Sequence, residues 1–213
     1  MSRLLLVGSL LAALTSSAFA RSFAQPPRDA PRVAHVENSV VSRAAVRAKL
    51  ATQRAANLQR FRDYQAKGSF PSNTYLNQRL NVWIDADGKL CAAATIINAS
   101  GWSDLVMRTA EDNNFIRLGD VRDGALMDWI LTSGLTQDEI AAIQEPFNPV
   151  FDDVEPGPVQ VTASARTAED QRLVAKYKQV EKQLVRAQRA SLDVATDRLM
   201  ANPELAAKFV RAS

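Results

Sequence analysis

The sequence predicts a mainly α-helical domain with one short strand or hairpin, a long C-terminal amphipathic helix and a disordered N-terminal tail. Three observations predict it. Ser42–Lys67 runs without Gly or Pro and is rich in Ala, Arg and Gln. Apolar residues recur at steps of four and three from Leu173 through Tyr177, Val180, Leu184 and Ala187. Alternation suited to a strand is confined to Leu80–Asp85.

Residues 1–20 read as a signal peptide. Arg3 is a positive n-region, "LLLVGSLLAAL" an apolar stretch too short to span a bilayer, and Ala18-Phe19-Ala20 a cleavage signal. Cleavage after Ala20 implies export to the periplasm or the cell exterior, with no transmembrane segment left. Taking 20 residues from 213 leaves 193, enough for one domain. Residues 21–41 carry Pro26, Pro27 and Pro31 without apolar periodicity, so a disordered tail is expected.

A single domain over 42–213 follows. Its first element is the basic helix 42–67, with Val46, Leu50, Leu58 and Phe61 on one face, Arg54 interrupting them and Gly68 as the stop. The block 80–145 opens with Leu80, Val82 and Ile84 alternating with Asn81, Trp83 and Asp85, then an Asp87-Gly88 turn. "LCAAATIINASG" fits a returning strand or a helix. Three consecutive alanines and a Gly101 cap favour the helix. Ser103 is placed to cap a helix to about Asp112 with Leu105, Val106 and Ala110 inward. "GALMDWILTSG" is apolar nearly all round, hence central. Thr136 and Glu139 make a capping box for "QDEIAAIQ". A Pro-rich connector spans 146–166, the long helix 167–201, and a short helix 203–211 begins at Asn202-Pro203-Glu204.

Charge is divided along the chain. Residues 80–155 hold fourteen acids against four bases, residues 42–67 one acid against seven bases, and residues 166–211 six acids against ten bases. The two basic helices are therefore expected to flank the acidic block. Each solvated pair is worth under about 1 kcal/mol.

Composition limits the chemistry. The one histidine, His35, lies in the Pro-rich tail, so neither a histidine-dependent nucleophile nor a multi-histidine zinc site can be assembled. The one cysteine, Cys91, excludes an intramolecular disulfide and sits beside "AAATII" as a small buried hydrophobe. No cofactor is expected. In "WIDADGKLC", Asp85 and Asp87 are the candidate metal ligands. With Gly88 at the sixth position of a calcium loop, however, Trp83 and Ala94 occupy the first and twelfth, where oxygen ligands are needed, so a plain turn is expected.

Asp128, Asp85 and Asp104 are the candidate catalytic carboxylates. A glycosidase needs two such groups facing one another at roughly 5–10 Å. Asp128 lies in the most apolar helix, where it is expected to be paired or exposed, since burial without a partner would cost several kcal/mol. Trp102 and Trp129 could stack on sugars, but their apolar company predicts core positions. Asn98 opens an Asn-Ala-Ser sequon in a helical setting unsuited to modification. The basic first helix has too thin an apolar face for a membrane anchor.

"GLTQDEIAAIQ" resembles the opening of repressor-type helix-turn-helix domains. The following "EPFNPVFDDVEP" carries four acids and several prolines where a basic recognition helix belongs, so no nucleic-acid partner is expected. "NVWIDADGKLCAAATII", "SGWSDLV" and "GALMDWILTSGLTQDEIAAIQ" resemble a group of uncharacterised exported bacterial proteins, over about a third of the chain. That resemblance implies one coherent domain and carries no activity, ligand or catalytic residue. The expectation is a non-catalytic exported protein whose partner is another envelope or extracellular protein. The alternative is a carboxylate-dependent hydrolase acting on an envelope polymer. Oligomeric state is not legible.

Overall fold

A computed structural model describes residues 41–147 and 161–212. The expected signal peptide, the tail with His35 and most of the Pro-rich connector lie outside them. The described chain is mainly helical, and its apolar side chains form one continuous core.

α1 spans Arg43–Lys67. The Ser42 hydroxyl accepts from the Ala45 amide, and Gly68 closes the helix at φ 60°. Its buried face is Val46, Leu50, Arg54, Asn57, Leu58, Phe61 and Tyr64. The arginine that interrupts the stripe is thus inside the core, 1% exposed.

The strand expected from Leu80 is reduced to two isolated bridges, Leu80 with Phe147 and Ile84 with Leu90. The alternation is not realised either, because Val82, Trp83 and Asp85 are all buried. Across the turn the Asp85 amide donates to Lys89 O (3.0 Å) and the Cys91 amide to Trp83 O (2.9 Å), a hairpin reduced to one bridge. The Trp83 amide donates to Asn114 O (2.8 Å) and its indole N–H to Val106 O (2.9 Å). The Asp87-Gly88 turn does form, with Gly88 at φ 77°.

α2 (Ala92–Ala99) settles the ambiguity of the following segment as a helix. Ala92, Ala93, Ala94, Ile96 and Ile97 are each 0% exposed, so α2 runs through the middle of the domain. Small side chains permit the close approach. Gly101 follows at φ 93° and donates to Asn98 O, a left-handed helix ending.

α3 covers Ser103–Asn113. Ser103 is its first helical residue, not its cap; Trp102 occupies the cap position and makes no side-chain cap bond. Leu105 and Val106 are buried as expected, while Ala110 is half-buried. α4 (Gly124–Thr132) buries Leu126, Met127, Trp129, Ile130 and Leu131. α5 (Gln137–Ile143) starts on the expected capping box, both halves of which are made.

α6 runs from Ala163 to Met200. It begins four residues before the expected start, because the Thr162 hydroxyl caps Ala165 N. At 1.5 Å per residue it is about 57 Å long. Leu173, Tyr177, Val180 and Leu184 are buried, but Ala187 is exposed, and the stripe resumes at Ser191 and Leu192. α7 (Pro203–Arg211) has its proline at the first helical turn. It docks through Ala206 and through Phe209, over whose ring the Lys49 ammonium sits at 5.1 Å.

α1 and α6 pack antiparallel. Arg43–Asp197 (2.7 Å), Arg47–Asp193 (2.9 Å) and Arg62–Glu181 (2.7 Å) line their seam. The rings of Phe61, Tyr64, Phe70 and Tyr177 fill one end at centroid separations of 5.3–5.6 Å. Both basic helices do meet the acidic block, but the block does not account for most of the α1 charge. Most α1 arginines pair with acids of α6, which the antiparallel register brings opposite them. As many pairs reach the block: Arg54 with Glu139, and Arg172 and Lys176 with Glu145.

Candidate functional site

The candidate carboxylates are put to separate uses. Asp85 is 5% exposed. Its Oδ1 accepts from the Asp87 and Lys89 amides (3.0 and 2.8 Å) and its Oδ2 from the Ser72 amide (3.0 Å). Three backbone donors occupy most of the roughly four lone-pair sites a carboxylate could offer a metal. The residue pins the turn. Asp87 is exposed and reaches only Lys89, at 3.7 Å. Asp104 lies in the exposed first turn of α3, and Asp128 on the exposed side of α4. Among the described residues, no three His, Cys, Asp or Glu side chains are placed to hold a metal ion.

The two tryptophans part company. Trp129 is 3% exposed and its indole N–H donates to Ser100 Oγ (2.9 Å), a core position as expected. Trp102 is 44% exposed, which corrects the expectation of burial. The Cys91 thiol is the side-chain cap of α2, accepting from Ala94 N at 3.5 Å. Burial pushes its pKa up to about 12, against a smaller opposing effect of the helix amides. A thiol held neutral inside the core is not a nucleophile.

Two surface clefts each have a pair of arginines in their walls. One, about 290 Å³, includes Ser72, Phe147, Arg166, Glu169 and Arg172. Arg172 is engaged by Glu145, Glu169 and Pro146 O, and Arg166 by Asp170, Ser72 and Phe70 O. The other, about 520 Å³, includes Arg79, Asn81, Arg117 and Asp120, with Arg117 on Asp120 at 3.5 Å. None of the candidate carboxylates Asp85, Asp104 and Asp128 lines either cleft.

The densest buried polar cluster centres on Arg54. Its Nη1 donates to Glu139 Oε2 (2.7 Å) and Gly134 O (3.0 Å), and its Nη2 to Glu139 Oε1 and Leu184 O (both 2.7 Å). Ser191 Oγ donates to the same Oε1 (2.7 Å), and the Thr136 amide to Oε2 (2.9 Å). Burial by itself would raise the Glu139 carboxyl. The hydrogen bonds from Arg54, Ser191 and Thr136, with the guanidinium charge, outweigh it and hold the group below its ordinary value. Such a carboxylate is a poor base, and the cluster works as a clamp. It ties α1 to the α4–α5 turn, to α5 and to α6. Only glycine fits that turn: Gly134 has φ 76°, and a Cβ there would meet Leu50 O at 2.2 Å.

The clamp holds α6 by one face and leaves the opposite face to solvent. Residues 185–190 are all exposed, Val185 by 47%. Lys178, Lys182, Arg186 and Arg189 recur at steps of four, four and three, so they lie in one line on that outward face. None of them forms an ion pair among the described residues, and each is exposed. Glu181, the one acid between Gln171 and Ala190, turns toward α1 and bonds Arg62 and Gln65. Sequence reading counted this region only as a net positive charge. The signal that locates the line is the spacing of the cations relative to the apolar stripe.

No described helix is long and apolar enough to cross a membrane. Compared with protein-family models, with curated proteins and with solved structures, the chain matches none.

Proposed function

We propose that the protein is an exported, non-catalytic binding protein of the cell envelope or the extracellular space, with α6 as its recognition element. The observation that carries this reading is the solvent face of α6: four cations in a line that form no ion pair among the described residues, on a rod whose other face is clamped into the core. A rigid element presenting an uncompensated charge pattern is suited to recognition, because little conformational freedom is lost on contact. The signal sequence supports an exported setting. Against the alternative hydrolase stands the fate of its carboxylates, with Asp85 spent on backbone amides and Asp104 and Asp128 each solvated.

The test is site-specific photo-crosslinking in the native host, from a crosslinker at Val185. A control sits at Met107, which is 50% exposed on α3. The expected result is an adduct, protein or lipid, enriched from Val185 alone. Equal adducts from both positions, together with release of fragments from purified cell-wall polymer, would replace the binding role with the hydrolase.

A further inference from the structure

Resting on the reading of α6 as the binding element, we infer that its outward face docks on an anionic phospholipid surface through Lys178, Lys182, Arg186 and Arg189.

The line is about 17 Å long, from eleven residues at 1.5 Å each. Its neighbours on the same face include Gln171, Ala175 and Val185, which carry no charge, and, beyond Arg189, Asp193, which bonds Arg47. The buried residues Leu173, Tyr177, Val180 and Leu184 occupy the opposite side, so the cations point away from the domain. Among the described residues none of the four is in an ion pair, although Arg47, with a smaller contribution from the Arg189 charge, holds the Asp193 carboxyl, one turn further on, below its ordinary value. Arg172 and Lys176, the other bases of this stretch, already meet Glu145. A phosphate-rich partner completes the charge balance.

The composition of the face selects among polyanions. No aromatic side chain lies between Lys178 and Ala190. A single-stranded nucleic acid would be expected to find aromatic stacking platforms, and this stretch provides none. A protein partner would need a fixed pattern of acids matching the row. A fluid bilayer needs no such match, because lipids diffuse until a headgroup sits by every cation. Val185, 47% exposed among the cations, gains only where an apolar boundary lies just beneath the phosphates. Lys178, Lys182, Val185 and Arg186 border a shallow depression, together with Glu181, whose carboxylate is bonded to Arg62.

Each cation near an anionic surface raises membrane partition about fivefold. Four together give several hundredfold, falling off within a Debye length, so the attachment is reversible and salt-dependent.

The experiment is co-sedimentation of the protein, purified as its host processes it, with phosphatidylcholine vesicles with and without about 40% phosphatidylglycerol. Two quadruple variants are compared: K178Q/K182Q/R186Q/R189Q, and K67Q/R108Q/R122Q/K208Q, which removes the same charge from exposed positions elsewhere. Circular dichroism checks that both stay folded. The expected result is binding to the anionic vesicles alone, abolished by about 0.5 M salt. It should weaken at least about 100-fold in the α6 variant and no more than about threefold in the control. Equal weakening in the two variants, or no binding at low salt, overturns the inference. Retention by single-stranded DNA or polyphosphate without vesicle binding also overturns it, assigning the face to a soluble polyanion. If Val185 crosslinks a protein while vesicles do not bind, the lipid assignment falls and the binding role of α6 stands.

Discussion

Replacing Arg54 by methionine is the sharpest test of how this domain is held. The guanidinium is 1% exposed and donates to both oxygens of Glu139, to Gly134 O and to Leu184 O. Arg54→Met keeps volume and stem but leaves the Glu139 carboxylate, 12% exposed, without its counter-ion, and two carbonyls without their donor. Breaking one side of a buried pair costs about 3–5 kcal/mol, a large part of the roughly 5–15 kcal/mol that stabilises a domain. Glu139→Gln should cost about 2–3 kcal/mol, since it removes the charge but keeps an oxygen for the guanidinium. The double variant should fall well short of the sum, with a coupling energy of at least about 2 kcal/mol.

Urea denaturation followed by circular dichroism measures all three. The acid limb adds a second readout. Glu139 is held below its ordinary value of 4.5, so its contribution is complete above that pH. It is lost as the pH falls through the lowered native value. Wild type should therefore lose stability on acidification more steeply than Arg54→Met. A cost under about 1 kcal/mol, singles that add, or parallel acid limbs would each refute the clamp.

Four further outcomes follow from the same geometry. Gly134→Ala should cost upward of about 3 kcal/mol and Gly88→Ala only about 1, because a Cβ at the first meets α1 backbone while the second has open space; thermal melts separate them. Asp85→Ala should cost about 2–3 kcal/mol by releasing three backbone amides, with the same value in excess calcium as in chelator. Trp129→Ala should cost about 3–5 kcal/mol, whereas Trp102→Ala should stay within about 0.5, as chemical denaturation will show. Cys91 should resist a thiol reagent at pH 8 in the native protein and react at once in urea, since burial lifts its pKa to about 12.

The reach of sequence reasoning follows the range of the interactions. Ser42, Gly68 and the Thr136–Glu139 box mark helix ends that the structure keeps, because a cap acts over three or four residues. Alanine propensity made the segment after Cys91 a helix for the same reason. Where the outcome depended on distant chain, local reading failed. Trp83 and Asp85 look outward in an alternating strand, yet partners as far away as Val106 and Ser72 draw both inside. Trp102 and Trp129 have equally apolar neighbours; only the packing decides that one is exposed and the other buried.

Sequence by itself determined the helical class, most helix boundaries, the buried thiol and the uneven distribution of charge, since each depends on neighbours within about one turn or on composition alone. Tertiary structure alone decided that Arg54 is a core residue, that α1 pairs with α6 as well as with the acidic block, and that one face of α6 is left to solvent. The Arg54–Glu139 pair joins residues 85 positions apart. Whether a lone arginine in an apolar stripe points out or in depends on whether the fold brings it a counter-ion, because a buried charge is tolerated only with a partner.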